Sequence, residues 1–100
     1  MAQMKITVLK KMFNEDLAAK YCKDCNSACS SFDEGQEFVI EGLKRPEEFC
    51  SWAWNDLYKV LVTLSSGGSF VPFMKKDNVL ISCCSDGIRP VFFKIERIKD

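Results

Sequence analysis

Between Pro46 and Gly67-Gly68 the chain carries one long helical signature, and it dictates what the rest of the fold must supply. Proline suits the first helical position, Glu47 and Glu48 complement the positive end of the helix dipole, and the paired glycines supply a stop. At ~1.5 Å per residue these roughly twenty positions span about 30 Å. Cys50, Trp54, Leu57, Leu61 and Leu64 recur at steps of three or four and share a face, while Asn55, Lys59 and Thr63 fall opposite. The apolar face must be buried and the polar one left in water.

The remaining periodic segments alternate as strands do. Met4, Ile6 and Val8 interleave with Lys5 and Thr7, and Phe38 and Ile40 share one face of 36–41 before Gly42. Asn14 followed by Glu15 and Asp16 opens a short helix or turn. Residues 22–35, rich in Ser, Asn, Asp and Gly, have no period and read as a loop. The last third is a hairpin, VLISCCSDGIRPVFFKIERI. Val79, Ile81 and Cys83 share one face of its first strand, and Val91, Phe93 and Ile95 one face of its second. Placing both sets on one side pairs Ile81 with Val91 and predicts an odd, three-residue loop, Ser85-Asp86-Gly87. The expected fold is α+β: an antiparallel sheet of about four strands, with one long helix packed on one face and a cysteine-bearing loop. With 100 residues, no repeat and no linker, residues 1–100 form a single domain.

Lysine plus arginine balance aspartate plus glutamate at 14 each, so no net field draws nucleic acid or an anionic membrane. The opening MAQMKITVLKK lacks the apolar stretch of a secretory signal, and no apolar run is long enough to span a bilayer. A cytoplasmic location is expected. That setting disfavours structural disulfides and leaves the six cysteines to metal binding, redox chemistry or burial.

YCKDCNSAC places three thiols within residues 22–29 of a chain with no histidine. Three loop cysteines joined by Cys50 or Cys83 would make an all-sulfur site, and soft thiolate ligation selects zinc or an iron–sulfur cluster. The spacing is not that of a zinc ribbon or a bacterial ferredoxin. Regular strand geometry sends Cys83 toward the core and Cys84 away from it. Cys50 and Cys83, each on an apolar face, read equally well as buried hydrophobes. Cys22-Lys23-Asp24-Cys25 also matches the C-x-x-C of dithiol redox proteins, although no helix start follows it. Cysteine–histidine hydrolysis is excluded by composition, and Gly67-Gly68 has no P-loop lysine beside it. Nothing else looks catalytic, save that a cysteine near Asp86 or Arg89 remains open.

FDEGQEFVIEG, FCSWAWNDLYK and CCSDGIRPVFFKIERI together resemble a family of small prokaryotic proteins of about this length, many from anaerobes, with no established activity. The resemblance implies that Cys22, Cys29, Cys50, Cys83 and Cys84 hold motif positions, with Asp86, Gly87, Arg89 and Pro90, and that Cys25 does not. It favours a site held by Cys22, Cys29, Cys50 and Cys83. The leading expectation is therefore a small metal-binding protein, iron–sulfur or zinc, in a redox or accessory role. The alternatives are a metal-free module whose exposed Trp or Phe side chains meet a protein partner, and a thiol redox protein. The terminal strand, ending Lys94-Ile95-Glu96-Arg97, offers an edge to a second copy, a homodimer, though its alternating charges equally suit a protected edge.

Overall fold

A computed structural model describes residues 2–99. The elements follow in the order β1 (Gln3–Lys11), α1 (Glu15–Tyr21), β2 (Glu37–Ile40), α2 (Ser51–Ser65), β3 (Val79–Cys83) and β4 (Val91–Lys99). The strands form one antiparallel sheet in the order β2-β1-β4-β3, and with the two helices the class is α+β.

The alternation of β1, β2 and β4 sorts their side chains as the pattern requires. Met4, Ile6, Val8, Phe38, Ile40, Val91, Phe93 and Ile95 are buried on one face of the sheet, where they meet Ala53, Leu57, Val60, Leu61 and Leu64 of α2. Burying each large apolar side chain contributes about 1.5–3 kcal/mol, so packing against the sheet holds α2 more than its own propensity does. The opposite face is polar at its centre. There Lys5 pairs with Glu37 and Glu96, and Lys94 also reaches Glu96.

Three expectations need correction. The long helix begins at Ser51 rather than near Pro46, because residues 46–49 form a separate turn in which Phe49 N–H donates to the Pro46 carbonyl. Arg45 caps that turn, its Nη1 donating to the carbonyls of Pro46, Glu47 and Phe49 at 3.3, 3.2 and 2.6 Å. Cys50 is consequently the N-cap residue of α2 and lies before its first turn rather than on its apolar face.

The hairpin register is also shifted. Ile81 lies opposite Lys94 and Cys83 opposite Phe92, so Leu80 and Ser82 share the face of Ile95 and Phe93. Ile81 and Cys83 are exposed, whereas Cys84, whose N–H donates to the Val91 carbonyl, is buried. The connection is longer than three residues because Asp86 organises it: its Oδ1 accepts the N–H groups of Ile88 and Arg89, each at 2.9 Å.

Finally, the terminal strand is no edge. β4 lies between β1 and β3, and a second copy cannot add to it.

Candidate functional site

A single irregularity in β1 brings the thiol loop to the core. The pairing with β4 slips between Val8 and Lys10, so Lys11 stands opposite Val91, on the buried side, and Lys10 opposite Phe92 on the other. Lys11 Nζ thereby reaches the loop and donates to the carbonyls of Cys29 and Phe32 at 3.0 and 2.9 Å. Phe32 completes the attachment. Its ring packs edge-on against Phe49, Phe93 and Phe38 at centroid distances of 5.0, 5.2 and 6.1 Å.

The start of α2 is joined to the connection after β3 by two bonds. Trp52 Nε1 donates to Ser85 Oγ, and Ser85 N–H donates to Asp56 Oδ2, both at 2.7 Å. Between the loop, the head of α2 and this connection lies a half-open cleft of about 500 Å³. Cys29, Cys50 and Cys84 all line it, one from each wall, together with Ser30, Ser31, Trp52, Asp86 and Arg89.

The three thiols are held differently. Cys84 is buried and its Sγ accepts the Val91 N–H at 3.3 Å. Cys29 is half-buried and accepts the Ser31 N–H at 3.4 Å. Cys50, also half-buried, makes no side-chain capping bond to the helix it begins, so the positive end of α2 is left to the cleft. Arg89 supplies the cationic wall. Its Nε donates to Asp86 Oδ2 at 3.2 Å, and its two terminal nitrogens have no hydrogen-bond partner among the described residues. Burial works against the charged form of Asp86, but the Arg89 and Ile88 N–H bonds and the Arg89 guanidinium outweigh it and hold the carboxyl below its usual range.

Comparison with family models, with curated proteins and with solved structures finds no match for this chain. Its chemistry must come from the site itself. The motif resemblance adds no activity to it.

The four-cysteine metal centre expected from the sequence is not formed. Among the described residues no group of three or more Cys, Asp or Glu side chains converges to hold a metal ion. The reasons are local. Cys22 is bonded to Cys25 in a disulfide with a Cα separation of 5.7 Å, which removes its sulfur as a ligand. The register of β3 turns Cys83 outward, where burial, then the neighbouring Cys84 and Asp56, push its thiol above the ordinary range. Cys29 and Cys50 do share a site, but Cys84 replaces Cys83 beside them. They stand on separate walls of the cleft, and metal–sulfur bonds of about 2.3 Å demand convergence. The iron–sulfur and zinc readings are therefore withdrawn. Asp86 and Arg89 do line a site with cysteines, as the sequence left open. Strand geometry read from the sequence pointed Cys84 away from the core, because the apolar run Val79-Leu80-Ile81 cannot announce which face it buries, and no sequence signal marked the wall formed by Trp52 and Ser85.

Proposed function

We propose that the protein is a thiol–disulfide exchange domain. The observation that carries this reading is the Cys22–Cys25 disulfide on the same loop that delivers Cys29 to a cleft shared with Cys50 and Cys84. Both redox states of cysteine thus stand in one short segment. The disulfide is a poor structural staple, since it closes a sequence separation of only three residues. Chain-entropy arguments give such a loop about 2 kcal/mol, well below what a long-range bridge supplies. The core beneath it is complete without it, held by Phe32 and Lys11.

In the exchange, a partner thiolate attacks one sulfur of the Cys22–Cys25 bond and the other leaves as thiolate. A second partner thiol then resolves the mixed disulfide. The partner's two thiols become a disulfide, and Cys22 and Cys25 gain the two electrons and two protons.

The test is equilibration in glutathione buffers of graded potential, followed by acid quench, alkylation and mass spectrometry. The expected result is a two-electron transition of the Cys22–Cys25 pair, read at those two residues, with the fold retained and the melting temperature lowered on reduction by no more than the ~8–16 °C that about 2 kcal/mol represents. A structural disulfide would instead show the melting temperature collapsing on reduction. Either that collapse or a pair that stays dithiol in the most oxidising buffer would remove the proposal.

A further inference from the structure

We propose that the cleft itself is a second exchange site, at Cys50, for small-molecule thiols and disulfides that carry a carboxylate. This inference rests on the exchange reading above but concerns different sulfurs. Three independent features of the cleft specify the ligand.

The first is size. A half-open cavity of about 500 Å³ suits a molecule of a few hundred daltons and is too confined for a folded protein's disulfide loop. The second is charge. Arg89 is fixed by Asp86 through Nε alone, which leaves its two terminal nitrogens as a planar fork, and a carboxylate is the group that such a fork binds through paired hydrogen bonds. Asp86 is a positioning residue here: it aims the guanidinium and does not meet the ligand. The third is sulfur. Of the cleft thiols Cys84 is buried and bonded to the Val91 N–H, and Cys29 accepts the Ser31 N–H, whereas Cys50 is half-exposed at the uncapped head of α2. Cys50 is thus the cleft sulfur that makes no side-chain bond to the helix it begins and stands open to an incoming disulfide.

The step balances without any further reagent. Cys50 Sγ⁻ attacks one sulfur of R–S–S–R, a Cys50–S–S–R bond forms, and R–S⁻ departs with the bonding pair and takes a proton from water. A second molecule of small thiol reverses the step. It releases a disulfide and restores Cys50.

The experiment measures mixed-disulfide formation at each cysteine by mass spectrometry after exposure of the reduced full chain to three probes: oxidised glutathione, neutral 2-hydroxyethyl disulfide and cationic cystamine. Each rate is divided by that of the urea-unfolded chain, which removes the probe's own reactivity. Cys50 is expected to react fastest with the anionic probe, with a preference of about tenfold over the cationic one. Arg89→Gln should erase that preference, and Arg89→Lys, which keeps the charge and loses the fork, should retain part of it. If Cys50 reacts faster than in the unfolded chain but irrespective of probe charge, or if Arg89→Gln leaves the preference intact, the substrate class is overturned while the Cys22–Cys25 chemistry stands. If no probe modifies Cys50 faster than in the unfolded chain, the cleft site is overturned. A failed glutathione titration of Cys22 and Cys25 would instead strike the parent reading.

Discussion

Phe32 is the residue through which the thiol loop and the core are one cooperative unit, and replacing it with alanine tests that directly. The side chain is almost wholly buried, and its ring meets three other phenylalanines edge-on at 5.0–6.1 Å. Truncating a buried phenylalanine costs about 3–5 kcal/mol from lost transfer energy and the cavity left behind. Edge-on ring pairs contribute about 0.5–1.5 kcal/mol each beyond area, and are not additive. For a domain of this length 1 kcal/mol corresponds to about 4–8 °C, so Phe32→Ala should lower the melting temperature by ~12–40 °C. Phe32→Leu keeps most of the volume and loses the ring contacts, for about 1–2 kcal/mol. Urea unfolding followed by far-ultraviolet circular dichroism gives both numbers. Alkylation in the native state should show Cys29 and Cys84 opening together in the alanine variant. A loss below about 1 kcal/mol would refute the argument, because it would mean that the loop detaches without disturbing the aromatic cluster.

Three further outcomes follow from the same structure. The raised thiol of Cys83 means that its neutral form favours the folded state, a contribution fully present below the ordinary thiol range and lost as pH rises through the higher folded value; alkylation against pH should place its midpoint above that of an unfolded-chain thiol, and Cys84→Ser or Asp56→Asn should lower it. Asp86 is the opposite case: its lowered carboxyl stabilises the fold above the ordinary range near ~4 and loses that effect as pH falls through its own lower value, so Asp86→Asn should cost about 1 kcal/mol at neutral pH and progressively less as pH falls below that range in parallel urea titrations. At the end of α2, a Cβ on Gly68 would stand 2.7 Å from the Thr63 carbonyl oxygen, so Gly68→Ala should cost about 1–3 kcal/mol; Gly67, at φ +89°, should accept Asn with less loss than Ala in the same assay.

Where the chain alternates cleanly, sequence and structure agree residue by residue. Met4, Ile6 and Val8, Phe38 and Ile40, and Val91, Phe93 and Ile95 keep a strict period of two and are all buried on one face, although Leu9, Val39 and Phe92 beside them are also apolar. Leu57, Leu61 and Leu64 on α2 agree likewise. In β3 the periodic signal is absent, because Val79, Leu80 and Ile81 are all apolar and either face could serve. The register there was set from outside the strand, by Asp86 gathering the N–H groups of Ile88 and Arg89 into a longer connection. Pro46 misled for a related reason. It suits the first turn of a helix, but it suits an isolated turn equally, and Arg45 donating to three carbonyls stabilises the isolated turn.

The cleft was half legible, and the missing half explains why a metal centre looked plausible. Counting cysteines identifies the loop and the head of α2 as thiol-bearing, but whether sulfurs meet depends on two one-residue shifts that alternation alone does not reveal. One is the slip in β1 after Val8, which turns Lys11 to the buried side and seats Cys29 against the core. The other is the register of β3, which exchanges Cys84 for Cys83 at the cleft. Because successive strand residues face opposite ways, each shift moves a functional group across the full thickness of the sheet. The same shifts bring Cys84, and with it Asp86 and Arg89, to the side of Cys50. A cation fixed on one flank by a carboxylate and open on the other is then what distinguishes this cleft from a cluster of buried thiols, and it is why charge, rather than metal content, is the variable that discriminates.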